Sequence, residues 1–165
     1  MDDCVVQRRQ FGGGSVMVWG GITTHGRTPL QVINGNLTGI RYRDEIIQPH
    51  VIPFIRRQQN PVNLQQDNAR PHVARVVRDF IAQQNVDVLP WPAVSSDLSP
   101  IEHMWDEMER RLRRLANQPV TLDSLGQELT NIWNNIPQAF LNNLVSSMIR
   151  RCQACINANG GHMRY

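Results

Sequence analysis

Apolar and polar positions follow two different periods along this chain. Val16-Met17-Val18-Trp19 is an unbroken apolar run too short for a helix, and it predicts a strand buried on both faces. Gly20 and Gly21 interrupt it. Leu30-Gln31-Val32-Ile33 predicts a second strand, closed by the turn pair Asn34-Gly35, and the two strands suit a hairpin. From Tyr42 to Arg57 the period lengthens, with Tyr42, Ile46, Ile47, Val51, Phe54 and Ile55 recurring mostly at spacings of three and four. That pattern predicts a helix, kinked or split by Pro49 and Pro53, each of which removes a backbone donor. Val62–Asp67 then alternates as a short strand that ends on an acid. Val73, Val76, Val77, Phe80 and Ile81 form the stripe of an amphipathic helix, and Val86–Leu89 is a further short strand.

Beyond a loop at Pro90-Trp91-Pro92 and Ser95-Ser96-Asp97, the pattern is helical to the end. Ser99-Pro100-Ile101-Glu102 opens the best-marked helix, whose apolar face is Ile101, Met104, Trp105, Met108, Leu112 and Leu115. A second helix carries Leu122, Leu125, Leu129, Ile132 and Trp133. A third starts at Pro137, carries Phe140, Leu144, Met148, Cys152 and Ile156, and stops at Asn159-Gly160. Strands first, then strand–helix alternation, then helices only: this order predicts an α/β fold with a C-terminal helical extension.

Composition narrows the class. The 165 residues suffice for one domain with a core of its own, without disulfides or a structural metal. With 41% hydrophobic and 19% charged residues the chain reads as folded rather than disordered. Its apolar runs are too short to span a membrane, and Met1-Asp2-Asp3 does not begin a targeting segment. Cys152 and Cys155 form a lone C-x-x-C, for which packing on a helix face outweighs zinc or redox chemistry, and a reducing compartment fits. All 17 basic residues are arginine, whose planar fork suits phosphate, yet the net charge of +3 is too small to establish a nucleic-acid partner.

Two acids stand out. Asp67 ends a strand and is followed by Asn68, Arg70 and His72; ligands of open α/β sheets gather at such carboxyl ends. Glu102 lies in the first turn of a helix behind a proline-rich loop. Two carboxylates converging from different elements suit a hard divalent cation such as Mg2+, which keeps waters and accepts phosphate oxygens. Each acid also has a purely structural explanation. Ser99-Pro100-Ile101-Glu102 reads as a capping box, and Asp67-Asn68 as an Asx turn or helix cap. His72 reads equally as a polar residue at a helix start. Arg110, Arg111, Arg113 and Arg114 read either as a phosphate-contacting stripe or as a solvated helix face beside Asp106, Glu107 and Glu109.

Three segments carry a resemblance to Tc1/mariner-family transposases. Gly12-Gly13-Gly14-Ser15-Val16-Met17-Val18-Trp19-Gly20 resembles the approach to an internal strand of that family. Gln65-Gln66-Asp67-Asn68-Ala69-Arg70-Pro71-His72 resembles the strand and turn bearing its second catalytic aspartate. Asp97-Leu98-Ser99-Pro100-Ile101-Glu102-His103-Met104-Trp105 resembles its third catalytic element. The 34 residues between Asp67 and Glu102, with glutamate as the last acid, resemble the Tc1 branch. The tail from Arg150 to Gly160 is also similar, so the resemblance runs from about Phe11 onward.

The resemblance implies a ribonuclease-H-like fold and a DDE-type nuclease and strand transferase acting on DNA in the nucleus. Its cofactor would be a pair of Mg2+ or Mn2+ ions. Asp67 and Glu102 would be catalytic metal ligands; Asn68, Arg70 and His72 would stand behind them or face DNA. The family's first aspartate lies on an opening strand well before the Gly-rich segment, whereas eleven residues precede Gly12 here, and neither Asp2 nor Asp3 sits in a similar motif. The expected organisation is a remnant over 1–11, a catalytic domain lacking its first strand over 12–116, and a helical part of the same domain over 117–165. A chain so organised would bind metal weakly and would not cut DNA alone. Its partners would be transposon ends and target DNA, a second copy of itself, or a full-length transposase. The competing readings are a non-catalytic nucleic-acid-binding module of the same descent and a decayed element with no stable product.

Overall fold

The computed structural model describes residues 15–92, 95 and 98–158. Strand β1 (Met17–Trp19) pairs antiparallel with β4 (Gln31–Ile33), Met17 facing Ile33 and Trp19 facing Gln31. The expected hairpin therefore forms, but a smaller one is inserted in it, made of β2 (Ile22–Thr23) and β3 (Gly26–Arg27). The Gly21 carbonyl accepts from the Thr28 amide, and the Gly21 amide donates to Thr28 Oγ1, each at 2.8 Å, which closes this insert. Gly35 takes a φ of 71° in the Asn34-Gly35 turn, where a side chain would be strained.

Alternation along the first strand sorts the interior into two cores. Val16 and Val18 enter one with Leu30, Met104, Met108, Leu129 and Trp133. Met17 and Trp19 enter the other with Ile33, Tyr42, Ile47, Val77 and Ile81. The sheet is thus covered by helices on both faces, as an apolar run without polar interruption requires.

After β4 the chain forms α1 (Gly39–Arg41), a π-helical segment (Tyr42–Val51) and α2 (Ile52–Arg56) as one continuous rod. Neither proline splits it. Pro49 lies inside the wide turns, where bonds run five residues back, as from the Ile52 amide to the Ile47 carbonyl; Pro53 falls in the first turn of α2. Widening the helix accommodates a ring that offers no N–H to the ladder. The two short strands expected next shrink to one parallel bridge between Leu64 and Val88. Leu64 donates to the Asp87 carbonyl and accepts from the Leu89 amide, both at 2.8 Å. Helix α3 (Arg75–Gln83) buries Val77 and Ile81, while Val73 precedes it in a turn and stays exposed.

Helices α4 (Pro100–Arg113), α5 (Leu122–Asn135), α6 (Gln138–Ser146) and α7 (Met148–Asn157) complete the fold. The single helix expected from Pro137 to Ile156 is divided at Ser147, whose hydroxyl donates back to the Leu144 carbonyl at 2.6 Å. Such back-bonding competes with the ladder and bends helices. The expected stripe does not pack along its whole length: Leu141 is the fully buried residue, whereas Ile156 is 68% exposed and Cys152 lies on the surface with a free thiol. The helix stop at Asn159-Gly160, the glycines at 12–14 and Asp97 fall outside the described residues. Among the described residues no helix is long and apolar enough to cross a membrane.

Trp133 on α5 joins the two halves. Its indole Nε1 donates to the Thr28 carbonyl at 2.8 Å, and its ring stacks on Trp105 of α4 with centroids 5.5 Å apart. Arg27 donates to the carbonyls of Trp133 and Ile136, placing a cation on the C-terminal end of α5. Gly20 lies directly against this ring: a Cβ there would stand 2.6 Å from Trp133 Cη2. Gly20→Ala is therefore expected to destabilise the fold by about 1–3 kcal/mol, seen as a lower urea midpoint with an unchanged slope.

Candidate active site

Asp67 follows the Leu64 bridge and is partly exposed. Its Oδ1 accepts from the Ala69 amide at 3.0 Å, which is the anticipated Asx turn, and the same oxygen faces Nδ1 of His72. His72 is 7% exposed and lines the same cleft as Asp67. Tyr42 covers that ring with centroids 4.4 Å apart. The tyrosine hydroxyl donates to Gln66 Oε1 at 2.9 Å, and Gln66 Nε2 reaches the His72 carbonyl at 3.4 Å. One oxygen of Asp67 is thereby oriented by its own turn and by a buried ring.

Glu102 stands half-buried in the first turn of α4, where the helix dipole favours a carboxylate. Ser99 occupies the N-cap and Pro100 the first helical position, as expected, but the serine side chain makes no cap bond, so the capping box is not formed. Ser99 is buried and its hydroxyl instead accepts from Gln65 Nε2 at 3.4 Å. A reciprocal capping box is found at α5, between Thr121 and Ser124. The Gln65–Ser99 contact links the residue two before Asp67 to the residue three before Glu102. Both acids consequently line one cleft of about 1120 Å3, bounded by Trp19, Tyr42, Leu64, Trp91 and Trp105.

The other candidates divide. Arg70 is exposed on the same cleft, and Asn68 is tied to its rim by an Nδ2 bond to the Trp91 carbonyl at 3.0 Å. Arg110, Arg111, Arg113 and Arg114 do not line it; they lie about 12–18 Å further along α4 at its rise per residue. Arg110 and Arg111 both pair with Glu107, the latter at 2.7 Å, and Arg113 pairs with Glu109. Arg111 also donates to the Asn135 carbonyl at 3.2 Å. Three of the four are thus ion-paired along the helix, and Arg111 is also bonded to the end of α5. Tyr42, Gln65 and Gln66 were not anticipated as site residues. The two glutamines adjoin Asp67, but nothing in the sequence connects Tyr42 to it.

Hard oxygen ligands in a partly open cleft fit Mg2+ or Mn2+ rather than a soft metal. Among the described residues no three metal-ligating side chains cluster, and the cleft lined by Asp67 and Glu102 has room for water and phosphate oxygens.

The family model of the DDE superfamily endonuclease matches residues 3–125. The chain belongs to this family. Among curated DDE relatives, the Tc1 transposase of Caenorhabditis elegans is 38% identical over 157 residues, which is 94% of this chain and 56% of the relative. The Tcb2 transposase of Caenorhabditis briggsae is 34% identical over 163 residues, covering 97% and 58%. The chain spans about half the length of the curated relatives it matches. The catalytic domain of Mos1 mariner transposase superposes with a TM-score of 0.83 at 22% identity, covering 99% of this chain and 82% of that one. That likeness shows the shared ribonuclease-H-like fold.

The two helix starts give a direct comparison. Thr121→Ala removes a formed cap and is expected to cost about 1 kcal/mol in a thermal or urea titration, whereas the cost of Ser99→Ala should largely vanish in a Gln65→Ala background, because that hydroxyl bonds Gln65 and caps nothing.

Proposed function

We propose that this chain carries part of the active site of a Tc1-type transposase, a metal-dependent centre for cutting DNA strands and joining them to target DNA in the nucleus. The observation that supports this most is the Gln65–Ser99 contact, which brings the segments of Asp67 and Glu102 to one cleft. Asp67 and Glu102 would hold the divalent ion. When bound, it supplies Lewis-acid activation of the attacking oxygen and neutralises charge on the phosphate. The chain's own groups orient the Asp67 carboxylate and present Arg70 to a phosphate at the cleft mouth. Asn68 steadies the Trp91 loop that borders it.

Two carboxylates hold such an ion weakly. The chain alone accordingly binds DNA without cutting it, and a further acid from another segment completes the centre. Phosphate contact is assigned to Arg70 rather than to Arg110, Arg111, Arg113 and Arg114, because Glu107 and Glu109 engage three of those four. The competing module reading, with DNA on the outer face of α4, makes the opposite assignment.

Calorimetric titration with Mn2+ tests the metal centre. Asp67→Asn and Glu102→Gln are each expected to weaken binding at least about tenfold with little change in melting temperature. Unaltered affinity in both variants would overturn the proposal. For DNA, low-salt binding to a duplex oligonucleotide is expected to fall in Arg70→Ala, with a salt slope shallower by about one, and to change little in Arg113→Ala. The reverse ranking would move the contact to the outer face of α4.

A further inference from the structure

The buried ring of His72 touches neither the ion nor DNA in the scheme just given, yet its Nδ1 contacts Asp67 Oδ1. It is not held there by the apolar core alone. Tyr42, 1% exposed, packs against it from the π-helical segment with the rings tilted by 35°. The Tyr42 hydroxyl fixes Gln66, and Gln66 returns to the His72 carbonyl. The contacts form a closed ring through residues 42, 66 and 72, to which Asp67 is joined by its contact with His72. An ionised carboxylate only accepts hydrogen bonds, so the His72–Asp67 contact requires a hydrogen on Nδ1. Oδ1 then receives two donors, that ring N–H and the Ala69 amide, and rotating the carboxylate would break both.

We propose that His72, braced by Tyr42 and Gln66, is a positioning residue that donates from Nδ1 to Asp67 Oδ1 and fixes the orientation in which Asp67 meets the divalent ion. This rests on the reading of Asp67 as a metal ligand. It assigns to the turn from Asp67 to His72 a task distinct from DNA contact, and it gives the wide helical turns at Tyr42 a purpose in the site. Groups that hold a metal ligand by hydrogen bonding typically change metal affinity about 10–100-fold when removed.

Two measurements on the full chain decide it. In nitrogen-15 NMR spectra without metal, His72 is expected to carry its hydrogen on Nδ1, with a ring-nitrogen pattern that changes in Asp67→Asn. In Mn2+ titrations, His72→Ala should weaken binding about 10–100-fold and His72→Asn, which keeps a donor, should recover most of it. Tyr42→Phe, which keeps the ring against His72 and frees Gln66, should weaken binding by a smaller factor. Melting temperatures of His72→Asn and Tyr42→Phe serve as the control for folding. A bare Nδ1 would overturn the proposal. So would His72→Ala with native Mn2+ affinity in a protein whose Asp67→Asn variant has lost it. If Mn2+ affinity ignores Asp67→Asn as well, the metal reading of the site fails, and with it the purpose given to His72, while an Nδ1 hydrogen would still mark the bond itself as real.

Discussion

The indole of Trp133 is the constraint on which the rest of the molecule depends. A buried N–H without a partner costs about 1–3 kcal/mol, and this one is satisfied by the carbonyl of Thr28, 105 residues away in sequence. The bond can form only if α5 lies across the inserted hairpin, and that position leaves no room for a side chain at residue 20. Arg27, one residue before Thr28, takes the carbonyls of Trp133 and Ile136 and so ends α5 at the same place. Trp105 stacks on the indole and sets α4 alongside. The start of α4, with Glu102 on its first turn, is therefore positioned from the far side of the core.

The second face of β1 does the same for Asp67. Because successive side chains point to opposite faces, burying Val16 and Val18 against Trp133 obliges Trp19 to face Tyr42 and the π-helical segment. Tyr42 in turn meets His72 and Gln66, the neighbours of Asp67. Main-chain pairing contributes little here: the Asp67 segment has one bridge, to Val88, among the described residues. Its position is set by side chains, through Tyr42 on one side and Gln65 to Ser99 on the other.

What could be read from the chain follows from how local each interaction is. The run from Val16 to Trp19, the Asn34-Gly35 turn and the stripes of α4 and α5 report their own surroundings, and their elements formed as expected. Ser99 misled because an N-cap serine ordinarily bonds within its own helix, whereas this one is buried against Gln65. Pro49 misled because a missing N–H predicts a break only if the helix keeps a four-residue period. Ser147 divided a helix through a single hydroxyl, which no apolar stripe reveals. The two acids were legible from residue type and from the resemblance of their flanking segments. The Tyr42–His72 contact was not, because it depends on how the π-helical segment packs across a turn 30 residues later.

Arginine content offered the least guidance, and the reason bears on the site. Glu45, Asp79, Glu107 and Glu109 each lie within one helical turn of an arginine that they pair with, so much of the basic charge is balanced locally. The arrangement around Asp67 follows a different logic. An arginine in the place of His72 would present a fork able to engage both carboxylate oxygens at once. A carboxylate held in that way has both oxygens engaged, and only their outer lone pairs remain for a cation. An imidazole offers one directed N–H to one oxygen, so it can fix the angle of the carboxylate while leaving its metal-binding capacity in place. A buried histidine is thus the side chain whose geometry suits the task proposed for it.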